Sequence, residues 1–151
     1  AAGTIILISM TIIMPISSAI SDKIGRKKVL LIGATLVATC SYLVFYYIGK
    51  GNDTIALIAC FWFSLIVGFY MGPVPTVLVE LFPTRVRFPG VALSYNISAA
   101  IFGGTAPMVG TIFAQFTGDQ FAMGYYLTVL ACITLFSLIW FKETYKIALD
   151  R

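Results

Sequence analysis

The chain has 151 residues, of which 60% are hydrophobic and 11% charged, and it carries a formal net charge of +4. An average soluble domain is roughly 45–50% apolar and about 25% charged, so a soluble core of this size cannot hide such an excess, and lipid is the solvent that suits it. The basic residues sit in short clusters between long apolar runs, which excludes a surface that tracks nucleic-acid phosphates and matches a cytoplasmic membrane face.

A hydrocarbon layer of about 30 Å takes about 20 apolar residues in a helix. Five runs meet that length, near residues 3–20, 29–48, 54–79, 89–116 and 121–141. The predicted fold class is therefore an all-α membrane protein of five transmembrane helices. Each connection is short, so successive helices are antiparallel neighbours. The first connection holds Asp22, Lys23, Gly25, Arg26, Lys27 and Lys28, and the third holds Arg85 and Arg87 behind Glu80 and Pro83.

Lys and Arg are divided unequally between the two sides. Lys23, Arg26, Lys27, Lys28, Arg85, Arg87, Lys142, Lys146 and Arg151 fall in the first and third connections and the tail, and Lys50 alone falls on the other side. Nine against one predicts that the tail is cytoplasmic and the N-terminal end outside. The chain opens on Ala1 without a basic region or a small-residue cleavage site, so it does not read as a signal peptide. An odd number of spans entered from outside is expected of a protein with a further part upstream.

The runs differ in texture. The second and fifth lack proline and are expected to be lipid-facing scaffold. Pro15, Pro73, Pro75 and Pro107 lie in the first, third and fourth. Each removes a backbone donor and marks a kink, which either lines a transport path or reflects the commonness of proline in membrane helices. Small residues four apart recur in the fourth run (Gly90, Ser94, Ser98; Ala99, Gly103; Ala106, Gly110) and in the third (Gly68, Gly72). That spacing lets helix backbones approach closely. Basic residues at the start of the second helix oppose its dipole, so lipid headgroups or a carboxylate partner are expected to account for them.

Asp22, Lys23, Gly25, Arg26 and Lys27 resemble the D-[RK]-x-G-R-[RK] loop signature of the major facilitator superfamily, with Ser18 where the pattern has glycine. Val79-Glu80-Leu81-Phe82-Pro83-Thr84-Arg85-Val86-Arg87-Phe88-Pro89-Gly90 resembles the loop between helices ten and eleven in that superfamily. The continuation through Ala92-Leu93-Ser94-Tyr95-Asn96 and Phe102-Gly103-Gly104-Thr105-Ala106-Pro107 is similar to the metabolite:proton symporter branch, which carries proline, betaine, 2-oxoglutarate and shikimate. The resemblance covers essentially the whole chain. It implies that residues 1–151 are part of a C-terminal six-helix domain, with the five spans as helices eight to twelve of a twelve-helix fold. The N-terminal half of the same transporter is then the partner, with the lipid bilayer and a small-molecule substrate.

The resemblance also implies roles. Asp22, Arg26, Glu80 and Arg87 form a cytoplasmic gate that holds one state and breaks in the other, with Lys23, Gly25 and Lys27 completing the loop motif. The alternative is a set of exposed ion pairs of about 0–1 kcal/mol each. Ser64, Tyr70, Tyr95 and Asn96 are the polar groups inside runs that the fold would turn toward a substrate path. Asn96 leads, as a buried amide that needs partners, and an interhelical hydrogen bond would serve it equally.

Enzyme chemistry has no foothold: no nucleophile–base set or phosphate loop is visible, and there is no histidine. Cys40, Cys60 and Cys132 lie in apolar runs without metal-ligand spacing and read as free thiols, so no metal or cofactor is expected. The coupling ion implied is the proton, and because no Asp, Glu or His lies well inside a run, its carrier is expected in the missing half unless Glu80 serves. The resulting expectation is a multi-pass transporter of a bacterial inner membrane that moves a small polar metabolite by proton symport. The alternatives are a sugar-porter-like facilitator and a non-transporting membrane protein.

Overall fold

A chain in lipid must satisfy its backbone hydrogen bonds internally, which leaves helices as the natural state of long apolar runs. The computed structural model describes residues 2–49, 52–118 and 122–141. Among these the regular elements are α1 (Ala2–Ile24), α2 (Arg26–Gly49), α3 (Asp53–Met71), α4 (Val74–Leu81), α5 (Arg87–Ser98), a π-helical turn (Ala99–Gly103), α6 (Gly104–Thr117) and α7 (Ala122–Trp140). Five stretches are long and apolar enough to cross a membrane: Gly3–Ile24, Arg26–Gly49, Asp53–Leu81, Arg87–Phe116 and Met123–Trp140. Lys50, Lys142, Lys146 and Arg151, which carry part of the charge asymmetry, lie outside the described residues.

The first connection is far shorter than its charges suggest. Residues 21–24 and 26–28 are helical, and only Gly25 separates α1 from α2. Its φ of 116° lies where a side chain is rarely accommodated, so glycine reverses the chain in a single residue. Charged side chains end an apolar run without ending a helix, because a helix continues into the polar layer.

The prolines act differently from one another. α1 continues through Pro15. At Gly72-Pro73 the third span breaks into α3 and α4: the Gly72 N–H still closes α3 on Gly68 O, and Pro75 sits in the first turn of α4, where a missing donor costs nothing. In the fourth span Pro107 has no N–H to offer the Gly103 carbonyl one turn back. The helix widens there into the π-turn, whose end is marked by the Gly104 N–H donating five residues back to Ala99 O. At the far end of the bundle Asn52 caps α3, its Oδ1 accepting from the Ile55 N–H at 3.4 Å.

α2 is the hub. It packs against α7 on one side and α3 on the other, while α1 packs on α3. Val29, Leu30, Gly33, Ala34, Ser41 and Val44 of α2 are buried, so it is not the lipid-facing scaffold its lack of proline suggested. One face carries the core and the opposite face, including Ile32, Leu36 and Leu43, is exposed. Leu30 and Ala34 meet Val77 of α4 and Leu138 of α7 in the central cluster.

The α1–α3 contact shows what the small residues of the third run do. A Cβ on Gly68 would fall 2.2 Å from the Ile13 side chain, and one on Gly72 would fall 2.5 Å from the Met14 carbonyl oxygen. Bare backbone at these two positions sets the interhelical distance. The Ser9 and Ser64 hydroxyls then lie 2.7 Å apart across the contact, and Ser17 donates to Phe69 O.

The fourth span is different. Neither α5 nor the π-turn buries a residue, and nothing lies within 4 Å of a Cβ built on Gly103 or Gly104. α6 packs on α7, with Gly110 abutting Met123 at the start of that helix.

Candidate functional site

The charged residues converge at the Gly25 end of the bundle. Ser21 and Asp22 occupy the last turn of α1, Arg26 opens α2, and Glu80 lies one residue from the end of α4. The sharp turn at Gly25 puts Arg26 next to the turn it has just left. Its Nη1 donates to Ser21 Oγ at 2.6 Å and pairs with Asp22. Its Nε and Nη2 donate to Glu80 Oε1 at 3.2 and 3.1 Å. One guanidinium therefore ties α1, α2 and α4 together.

Burial decides what this knot is worth. The Arg26 side chain is 9% exposed and that of Glu80 12%, against 57% for Asp22. A buried charge is tolerated when paired and hydrogen-bonded, and removal of one partner from a buried pair costs about 3–5 kcal/mol. The Arg26–Glu80 bond is thus of the strong kind, and the Arg26–Asp22 bond is close to a surface pair.

Lys27, the next residue, reaches the other way. Its Nζ donates to Phe141 O at 2.7 Å and Ile139 O at 3.1 Å. These carbonyls belong to the C-terminal end of α7, where the last turn has acceptors without intrahelical partners and the dipole favours a cation. A neighbouring helix end is therefore among the partners of this lysine. Lys23 is exposed in the last turn of α1, where a cation suits that helix's own dipole. The Arg26 and Lys27 bonds together bring the α1–α2 junction, the end of α4 and the end of α7 to one end of the bundle.

Arg87 stands apart. It opens α5, and its Nε donates to Phe82 O at 3.2 Å, closing the bend between α4 and α5; the ion pairs of Arg26 are made with Asp22 and Glu80.

The four hydroxyl and amide groups singled out within the spans do not share a site. Ser64 is buried between α1 and α3, bonded to Ser9 and to Phe61 O, so helix packing uses its hydrogen bonds. Tyr70 has its backbone and Cβ against Gly33 of α2 and its hydroxyl hydrogen-bonded with Thr134 of α7. That places it in the three-helix contact beside the core cluster. Tyr95 is 61% exposed. Asn96 is exposed as well and is not the buried amide expected: none of the described residues buries it, and Nδ2 finds its partner one turn back at Ala92 O, 2.7 Å away. Among the described residues no cluster suits a metal ion, and Cys40, Cys60 and Cys132 are free.

Five apolar spans among the described residues, with a proline-broken third span and a buried arginine binding three helix ends, define a polytopic α-helical membrane protein. The family model described as sugar (and other) transporter matches residues 1–150, and the chain belongs to that family, within the major facilitator superfamily that its loops resemble. Among curated proteins it is 36% identical over 126 residues to a citrate-proton symporter of Salmonella typhi, covering 82% of this chain and 29% of that protein. It is 34% identical over 142 residues to an ectoine/proline transporter of Corynebacterium glutamicum, covering 92% and 28%. A putative proline/betaine transporter of Staphylococcus aureus is 33% identical over 138 residues, covering 88% and 30%. The chain spans about three tenths of the length of these relatives. No solved structure gives a significant match.

Proposed function

We propose that this chain is the C-terminal part of a proton-coupled importer of a small polar metabolite, working by alternating access. The five spans correspond in this reading to helices eight to twelve of a twelve-helix transporter, and the charged end of the bundle faces the cytoplasm. The observation that carries the reading is the Arg26 knot. A buried charge pair joining helix ends is a costly way to hold a static bundle and a suitable bond for a protein that must hold one state and release it for another.

Asp22, Arg26 and Glu80 form the gate. Arg87 orients the bend that presents Glu80, and Lys27 anchors the gate to the last helix. Lys23 serves the helix end and the lipid surface. Tyr95 and Asn96, on the uncovered face of α5, are the groups that remain available to a substrate path. Citrate, proline and betaine, named in the relatives, are the first substrates to try, and the proton symport named in the citrate relative supports the proton as coupling ion. The residue that carries the proton belongs in this reading to the missing half, with Glu80 as the alternative.

The test is uptake of labelled citrate, proline and betaine by the intact transporter in proteoliposomes. Uptake of one of them that collapses with a protonophore is expected. Uptake indifferent to the proton gradient would sink symport and favour the facilitator reading, which the family's sugar-transporting members support. The absence of any uptake would sink transport of these solutes altogether.

A further inference from the structure

The fourth span contains two halves held in unlike ways. α6 is seated on α7, where a Cβ on Gly110 would fall 2.7 Å from Met123 Sδ. α5 buries no residue and is held at its start by two contacts. These are the Arg87 bond to Phe82 O and the Phe82 ring lying over Gly90, where a Cβ would come within 2.5 Å of the ring. Between the halves sits the π-turn Ala99–Gly103.

A π-turn holds one residue more than the α-helix it interrupts, and such turns recur at functional sites. If it closes to α geometry, that residue must leave the turn, and everything on one side rotates by about 100° and advances by about 1.5 Å relative to the other. Conversion here is inexpensive on three counts. Gly103 and Gly104 carry no side chain and have little conformational bias. The Gly103 carbonyl has no α-helical donor in either form, because Pro107 lacks the N–H. The bend at residues 82–86 can take up the displaced residue. Rotation would have to break both contacts at the start of α5 and would move Tyr95 and Asn96 to a different face.

We propose that the π-turn is a register switch of the fourth span, retained in one state of the transport cycle and closed in the other. Arg87–Ser98 then turns by about one residue against Gly104–Thr117. The inference rests on the transport reading above. It assigns Arg87 and Phe82 a latch role at the start of α5, separate from the gate of Arg26.

Single cysteines at positions 91–98 and 106–113 of the intact transporter, reacted with N-ethylmaleimide in proteoliposomes under proton gradients of either sign, test it. The periodic reactivity along 91–98 should shift in phase by about 100°, one residue, between the two conditions, while that along 106–113 keeps its phase. Pro107→Ala restores a donor to the Gly103 carbonyl. It should hold α5 in one phase under both gradients and lower uptake several-fold. Uptake with no phase shift in the otherwise wild-type protein overturns the register switch and leaves the transport reading standing. An intact protein that takes up no solute overturns both.

Discussion

The hub around α2 and the fourth span meet the same solvent problem with opposite solutions. Around α2, four other helices converge, glycines bring backbones together, serines pair across the contact and the buried Arg26 has its partners. Along α5 and the π-turn no residue is buried, although this span is rich in the small residues that favour close packing. The difference separates a part of the bundle packed by the described residues from a part that they leave uncovered. In relatives about three times as long, further protein is available to cover that face.

The contrast predicts a gradient of mutational effects. Glu80→Ala should be the most damaging, because it takes a carboxylate partner from the buried Arg26 guanidinium. A loss of about 3–5 kcal/mol is expected, read as a drop in thermal stability of the detergent-solubilised transporter. A double-mutant cycle with Arg26→Met should show the two effects far from additive. Independent effects would reduce the knot to two isolated contacts.

Gly72→Ala comes next. The added methyl would meet backbone and the Ser17 Cβ at 2.8 Å, and overpacking of this kind costs about 1–3 kcal/mol. Gly104→Ala, with nothing nearby, should leave stability unchanged or raise it. Equal losses at both positions would erase the distinction between the packed and uncovered regions.

Lys27→Met removes the cation at the end of α7 and should cost about 0.3–1 kcal/mol, with increased hydrogen exchange confined to the last turn of that helix. Protection unchanged there would mean that its two bonds to Ile139 O and Phe141 O contribute little. Ser64→Ala should be smallest among the packed-region variants, near the average of about 0.6 kcal/mol for interhelical hydrogen bonds in membranes. A substitution at Asn96 should fall below it in stability while changing uptake, and the reverse order would place Asn96 in the core of the assembly.

Much of the architecture was legible because the membrane imposes a length and a charge rule on any span. Five runs, their order and the shared end of the first and third connections follow from hydropathy and Lys/Arg placement. The ends of the helices were less legible. Asp22 to Lys28 reads as a loop, yet only Gly25 leaves the helix, since charge marks the edge of lipid and not the edge of helical backbone. The Arg26–Glu80 pair spans 54 residues, and loop-motif resemblance was the signal that could join them.

Lys27 bonds to a pair of backbone carbonyls, which no residue type announces; the clue was a cation placed against its own helix dipole. Ser64 and Tyr70 could not be separated from path-lining groups, because a hydroxyl inside a span looks the same whether it binds a solute or a neighbouring helix. Pro107 pointed to a disturbance in the fourth span without saying that it would be a π-turn.

The central claim is that the Arg26 knot is a bond the protein makes and breaks. Spin labels at the exposed positions 23 and 81, at the ends of α1 and α4, leave Arg26, Asp22 and Glu80 intact. Their separation can be measured by electron–electron double resonance in the intact transporter under proton gradients of either sign. A distribution that changes from one short distance to a population that includes a longer one is the predicted result. A single unchanged distance under both gradients, in protein that still transports, would contradict it.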